Sequence, residues 1–87
     1  MKYIYGATNK EYEMIKDVDY ITLGIVFITE HRNLFVGDFF DLINLNSKVS
    51  FKINSIKYSN KFDKNIVTLN NKDAKYFTIL ELQKIYE

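Results

Sequence analysis

Residues 49–58 of the chain read VSFKINSIKY, and this stretch decides the fold. Val49, Phe51 and Ile53 alternate with polar residues, which is typical of a strand with one buried face. Ile56 and Tyr58 are apolar too, but they fall on the opposite parity. A β-bulge at residues 54–55 would return all five apolar side chains to one face, because a bulge adds one residue to one strand only. The same bulge would turn the lysines at 52 and 57 toward solvent.

Shorter apolar runs on both sides of this stretch also predict strands, and polar clusters between them predict turns. We expect strands at residues 2–5, 19–29, 34–36, 39–43 and 66–69, and turns at 30–33, 37–38, 44–48 and 60–64. Short strands joined by tight turns indicate a mainly β, β-rich α+β domain. The expected architecture is a small antiparallel barrel or a strongly bent sheet of five or six strands with two short helices.

Two capping boxes predict the helices. In this motif a Ser or Thr side chain and a Glu three residues later each satisfy a free amide at a helix start. Thr8 and Glu11 form the first pair, before a helix of about two turns. Thr78 and Glu81 form the second, which favours an extended entry near 75–78 and a helix from residue 79. The alternation of residues 76, 78, 80 and 82 fits a strand as well, so this segment stays ambiguous.

The composition is typical of one small globular domain, which we expect to span residues 1–87. At 47% hydrophobic and 26% charged residues, the chain is too apolar to be disordered. It has no cysteine, so disulfides, thiolate metal sites and cysteine nucleophiles are excluded. It shows no signal peptide, and its longest apolar run, residues 23–28, is too short for a bilayer. We expect a cytoplasmic protein, and the abundance of Lys, Asn and Ile points to a low-GC bacterium or its phage.

Few residues offer catalytic chemistry, and we expect no enzyme, no metal and no cofactor. His31 is the only histidine and lies in a polar turn, which favours an ordinary exposed side chain. Asp38 and Asp41 follow Gly37 at a spacing that could bring two carboxylates together. A lone acidic pair is a weak metal signal, so we expect a turn aspartate and a solvated one. Three scattered glycines cannot build a phosphate-binding loop.

The charge distribution is more informative than the net charge of +1. Residues 1–41 carry four basic and seven acidic groups, whereas residues 42–87 carry eight basic and four acidic ones. A basic hairpin with exposed rings could attract a polyanion and stack on bases. The candidate binding residues are Lys48, Lys52, Lys57, Lys61, Phe62, Lys64, Arg32 and Phe39. The alternative is that lysines on edge strands only prevent aggregation.

Phe39 and Phe40 are adjacent, so a regular strand directs them to opposite faces. One ring is then left outside the core. An exposed ring of this kind would favour a protein–protein contact or a homodimer.

Three segments resemble the second, β-barrel domain of translational GTPases of the elongation factor Tu type. They are residues 22–26 (TLGIV), 34–40 (LFVGDFF) and 49–56 (VSFKINSI), about half the chain. The resemblance implies a barrel topology and a docking role, because that barrel is a docking module in its family. It transfers no catalytic residue. Where the family has a second glycine in the first hairpin, this chain has residues 30–33, EHRN.

The sequence therefore predicts a non-catalytic binding module whose partner is another protein or a second copy of the chain. One alternative is a nucleic-acid-binding barrel that uses the lysine-rich hairpin. A second alternative is a small-molecule binder with a site at an oligomer interface, built from His31, Arg32 and Asp38. No membrane partner is expected.

Overall fold

The computed structural model describes residues 2–25, 34–59, 67–69 and 77–86, and these form a mainly β fold with one helix. Predictions for residues 26–33, 60–66 and 70–76, among them the turns at 30–33 and 60–64, lie outside the described residues. In chain order the elements are β1 (Lys2–Gly6), α1 (Asn9–Ile15), β2 (Tyr20–Ile25), β3 (Phe39–Asn44), β4 (Ser47–Ser59), β5 (Val67–Leu69) and β6 (Phe77–Lys84).

The bulge predicted in residues 54–55 is present in β4. Ile53 pairs with Leu82, whereas the next paired residue of β4, Ser55, lies opposite Glu81. The extra residue returns Ile56 to the face of Ile53, and both contact the hydrophobic core. Lys52 and Lys57 are exposed, as expected. Tyr58 is the exception to the predicted buried face, since it is exposed near the end of the strand.

All six strands belong to one sheet with the order β1-β3-β4-β6-β2-β5. The pairs β3–β4, β4–β6 and β2–β6 are antiparallel. Of the two predicted architectures, the small antiparallel barrel is not formed, because β1–β3 and β2–β5 are parallel. In the described part of the chain β1 and β5 are the sheet edges, so the sheet is open and bent rather than a closed barrel.

The predicted second helix is wrong, since residues 77–84 form strand β6. β6 lies between β4 and β2, and both of its edges are paired. Thr78, Leu80 and Leu82 are buried, whereas the residues between them are exposed or half-buried. Two complete ladders and a buried face of period two outweigh a local capping signal, because tertiary packing overrides weak helix propensity.

The first capping box is confirmed at the start of α1. The Glu11 amide donates to Thr8 Oγ1 at 3.1 Å, and the Thr8 amide donates to Glu11 Oε1 at 2.9 Å. α1 contacts β3 and buries Ile15. The helix therefore covers one face of the sheet, which we call the core face.

Residues 34–36 form a turn region and not the predicted strand. The Phe35 amide donates to Asp38 Oδ2 at 3.1 Å, and the Asp38 amide donates to the Phe35 carbonyl at 3.0 Å. Gly37 has φ 94°, a conformation that favours glycine. Because the Gly37 amide also donates to the Ile53 carbonyl, the turn is fixed to β4. Phe35 and Val36 remain exposed.

The core face carries the apolar core. Phe40 is fully buried, with ring centroids 5.3 Å from Tyr3 and 6.4 Å from Tyr5. Leu34 is buried at the start of the turn region. The buried core residues are Tyr5, Ile15, Leu23, Ile25, Leu34, Phe40, Leu42, Val49, Phe51, Ile53, Leu80 and Leu82.

Within the described residues, no helix is both long enough and apolar enough to cross a membrane.

Candidate functional site

The face of the sheet opposite the core, which we call the outer face, carries the candidate site. Side chains alternate along each strand, so residues next to buried ones in β1, β3, β4 and β6 lie on this face. The strand register places Lys2 beside Phe39, and Phe39 beside Lys52. In the next row, Asp41 lies between Ile4 and Ser50. These two rows bring residues from three strands together.

The predicted lysine-rich hairpin does not form as a strand pair among the described strands, because β4 pairs with β3 and β6 whereas β5 pairs with β2. Three of its lysines nevertheless share the outer face. Lys48 pairs with Ile43, Lys52 with Phe39, and Lys57 with Ile79 of β6, and all three lysines are exposed. Lys57 reaches this face only because of the bulge. Lys2, which the sequence did not indicate, joins them from β1. The other candidates, Arg32, Lys61, Phe62 and Lys64, lie outside the described residues, as does His31.

Phe39 is the aromatic ring that the structure leaves outside. It is 43% exposed, whereas Phe40 is 0% exposed, which confirms that one of the two rings lies outside the core. Phe39 has Lys2 on one side and Lys52 on the other, on neighbouring strands about 4.8 Å away. An exposed ring flanked by cations offers a flat surface for stacking next to positive charge.

Asp41 is the unexpected member of the site. It is only 2% exposed, so the prediction of a solvated carboxylate is wrong. Its Oδ2 lies 3.4 Å from Lys2 Nζ, a loose ion pair with a half-exposed lysine. Its Oδ1 is buried and has no hydrogen-bond partner among the residues that the structure describes. This burial could not be predicted from the sequence, because Asp41 lies on the face that strand alternation assigns to solvent.

A depression of about 220 Å³ opens at Asp41, and its walls are Lys2, Phe39, Ser50 and Ile85. We call it the Asp41 pocket. Ile85 is fixed there because its amide donates to the Ser50 carbonyl at 2.8 Å. The volume is below that of typical drug-sized sites, so the pocket has room for one flat system of one or two fused rings and not for a large ligand.

A second depression of about 220 Å³ lies on the other side of Ser50 and Ile85, and Lys48, Lys84 and Tyr86 also line it. Tyr86 donates a hydrogen bond to Asp19, and Lys84 donates one to the Lys16 carbonyl. Lys84 Nζ also lies 5.6 Å from the centre of the Tyr86 ring. These contacts fasten the end of β6 to the segment after α1 and give the second depression a fixed wall.

The paired-carboxylate idea finds no support in the geometry. Asp38 caps the turn at Phe35, as a turn aspartate would, whereas Asp41 faces the pocket. In the described ranges, no group of three or more His, Asp or Glu side chains is placed to hold a metal ion.

Acidic groups collect on the helix side of the molecule. Glu11 and Glu13 lie on α1, and Asp17 and Asp19 follow it. Lys16 Nζ is 3.0 Å from Glu13 Oε2, and this hydrogen bond and charge raise the pKa of Lys16 above its ordinary value. The charge asymmetry seen along the chain is therefore also an asymmetry between the helix side and the outer face.

Comparison with known proteins gives a fold relationship. No protein-family model matches the chain, and no curated protein matches it. A solved structure, described as the crystal structure of hypothetical protein PH0355, is similar with a TM-score of 0.66. The alignment covers 98% of this chain and 100% of that chain at 17% sequence identity. The resemblance to the elongation factor Tu barrel is not tested by these matches and stays a prediction. The chain shares its fold with PH0355, and the function has to be argued from the outer face.

Proposed function

We propose that the chain is a non-catalytic binding module whose outer face binds single-stranded nucleic acid. One observation carries this proposal: Lys2, Lys48, Lys52 and Lys57 share one sheet face with the exposed ring of Phe39. A basic surface with an exposed ring combines the two contacts that single strands use, namely phosphate pairing and base stacking. This arrangement supports the nucleic-acid alternative more directly than the other predictions from sequence.

The local charge matters more than the net charge of +1. Among the described residues, four lysines lie on the outer face, against two carboxylates, the buried Asp41 and the exposed Glu81. The acidic groups of the α1 region lie on the far side of the sheet. A polyanion therefore meets a positive face although the whole chain is nearly neutral, and attraction to such a face depends strongly on salt.

A single strand suits this face better than a duplex. Phe39 can stack only on a base whose flat face is unpaired and accessible. The face is also flanked by two depressions, one at Phe39 and one at Tyr86, that share Ser50 and Ile85. Two successive bases could each occupy one of them while the lysines contact the phosphates.

Fluorescence anisotropy with a labelled single-stranded oligonucleotide of about 12 nucleotides tests the proposal. We expect binding at low salt, with the logarithm of the affinity falling against the logarithm of the salt concentration. If all four lysines contact phosphate, the slope should be about −3. Lys52→Gln should weaken binding and reduce the slope to about −2.

Lys10→Gln is the matched control, because Lys10 is an equally exposed lysine on α1, on the other side of the sheet. It removes the same charge and should leave affinity and slope unchanged. Absence of binding at low salt would contradict the proposal. Equal weakening by both substitutions would also contradict it, because attraction would then come from overall charge and not from the outer face.

A second candidate is contact with another copy of the chain through the turn at residues 35–36. Phe35 and Val36 are 62% and 64% exposed, and an exposed apolar pair of this kind favours a protein contact. Sedimentation velocity over a rising concentration series tests this candidate. A dimer in the parent protein that becomes a monomer in Phe35→Ser would support it, and a monomer throughout would rule it out.

A further inference from the structure

The buried carboxylate of Asp41 needs an explanation that the lysines alone do not give. A buried acceptor without a partner costs free energy, because water has been removed and nothing replaces its hydrogen bonds. Oδ1 of Asp41 is such an acceptor among the described residues, and Asp41 is one of the residues that line the Asp41 pocket. A ligand that donates N–H groups would supply the missing bonds.

The position of Phe39 defines where that ligand would lie. Phe39 and Asp41 are two residues apart on β3 and share the outer face, so their side chains start about 7 Å apart. Both line the same pocket. A flat ring stacked on Phe39 would extend its edge toward the Asp41 carboxylate.

We propose that the Asp41 pocket binds guanine of a single-stranded nucleic acid, an inference that rests on the function proposed above. An ionised carboxylate only accepts hydrogen bonds and has two oxygens side by side. The Watson–Crick edge of guanine presents two adjacent donors, N1–H and the amino group at C2, which match this pair. In cytosine and adenine the amino group lies next to a ring nitrogen that accepts, and in thymine the N3–H lies between two carbonyl oxygens. Each of those acceptors would face a carboxylate oxygen.

Lys2 controls access to the carboxylate. Its ion pair with Asp41 is 3.4 Å long, and its side chain is half-exposed, so its ammonium group can turn outward when hydrogen bonds from a ligand replace it at the buried carboxylate. A nucleic-acid strand offers phosphates that compete for this lysine. When Lys2 turns toward a phosphate, Asp41 becomes accessible to the base edge. In the free protein, Lys2 therefore balances the buried charge that guanine recognition requires.

The first test uses the unaltered protein and three labelled oligodeoxythymidine strands, each with one central base replaced. The replacements are guanine, adenine and hypoxanthine, and hypoxanthine is guanine without its C2 amino group. We expect the guanine strand to bind at least about fivefold more tightly than the adenine strand. The hypoxanthine strand should lie between them, because it keeps N1–H and loses the second donor.

The second test substitutes the carboxylate. Asp41→Asn keeps the shape but replaces one acceptor oxygen by a donor, so the guanine preference should fall to about twofold or less. Asp38→Asn is the matched control, since it makes the same change three residues away in a turn contact outside the pocket. It should preserve the preference of the parent protein. Circular dichroism confirms that each variant is folded.

The outcomes separate this inference from the proposed function. If the parent protein binds all three strands equally and with the expected salt slope, the outer face binds nucleic acid and the guanine pocket is wrong. If no strand binds, both proposals are wrong. If Asp41→Asn fails to fold, the comparison of guanine with hypoxanthine on the parent protein still decides the inference. A guanine preference that Asp41→Asn retains would overturn it.

Discussion

Phe39 and Phe40 are neighbours on β3, yet they belong to two surfaces with different tasks. Phe40 is buried and stacks with the rings of Tyr3 and Tyr5 on the core face. Phe39 lies on the outer face among lysines and beside the Asp41 pocket. The same strand thus supplies one surface that holds the fold together and another that is free to contact a ligand.

The polar groups of the two faces differ in the same way. On the helix side they satisfy one another, as in the capping box of α1 and the hydrogen bond from Tyr5 to Glu11 at 3.2 Å. On the outer face, the Asp41 carboxylate has an ion pair with Lys2 at Oδ2, whereas its buried Oδ1 has no partner among the described residues. A buried acceptor that the described chain leaves unsatisfied is where a donor from outside gains most.

The largest expected effect separates the two phenylalanines. Phe40→Ala should lower the free energy of unfolding by about 3–5 kcal/mol, because it leaves a cavity between stacked rings. Phe39→Ala should lower it by less than about 1 kcal/mol and should weaken oligonucleotide binding instead. Urea unfolding and anisotropy on the two variants provide the measurements. Similar stability losses would show that the two faces do not differ as described.

Deleting one residue of β4 before the bulge would exchange which side chains of that strand face the core and which face outward. Removing Lys52 would place Asn54 opposite Leu82 in the core and turn Ile53 outward, at a cost of about 3 kcal/mol. Removing Asn54 only takes out the bulge, and the ladder from Ser55 onward keeps its register. It should therefore cost less than about 1 kcal/mol. Urea unfolding of both variants tests whether residue 54 is the extra residue that keeps the apolar side chains of β4 on the core face. Equal losses of unfolding free energy in the two variants would contradict this.

Asp41→Leu tests whether the carboxylate on the outer face serves binding rather than stability. Leucine removes a buried, incompletely bonded carboxylate and adds apolar contact with Ile85 and Phe39. We expect the free energy of unfolding to rise by about 1–2 kcal/mol while the guanine preference disappears. A thermal melt combined with anisotropy measures both. If stability falls, the carboxylate has a structural role and the outer face is less distinct than we infer.

The smallest expected effect concerns the helix side. The raised pKa of Lys16 means that its contact with Glu13 stabilises the fold below the pKa that the lysine has in the unfolded chain. This contribution is lost as the pH rises through the folded pKa, in the range above about pH 10. Glu13→Gln should therefore be slightly less stable than the parent at pH 8. At a pH above the folded pKa of Lys16, the two proteins should be equally stable. Thermal melts of both proteins at these two pH values measure the difference in stability, and 1 M salt should abolish the difference at pH 8 because the pair is exposed.

Much of the sheet could be predicted from the sequence, because period-two alternation and one odd spacing are visible along the chain. The bulge in β4 follows from the parity of Ile53 and Ile56, and the division between Phe39 and Phe40 follows from their adjacency. The error at β6 arose because Thr78 and Glu81 satisfy a local helix signal. The pairing of β6 with strands on both sides outweighs this local helix signal. That pairing cannot be recognised from a single sequence.

The candidate site was predictable only in part. Lys48, Lys52, Lys57 and Phe39 were identified by charge and parity. Lys2 and Asp41 were not, because they join the site through a parallel pairing of β1 with β3 that brings residues almost 40 positions apart into one row. Burial of Asp41 also depends on Ile85, which reaches it from the far end of β6. Contacts between residues this far apart in the sequence produce no local sequence pattern from which they could be predicted.

The strand order also sets when the chain can fold as it leaves the ribosome. Of the six described strands, β6 is synthesised after the other five, yet it joins the β1-β3-β4 part of the sheet to the β2-β5 part. Until residues 77–84 have emerged, β2 lacks its antiparallel neighbour and β4 has one open edge. The sheet is therefore completed late, through contacts of long sequence separation, which favours slow folding. Until then, unpaired strand edges are exposed to misassembly during translation.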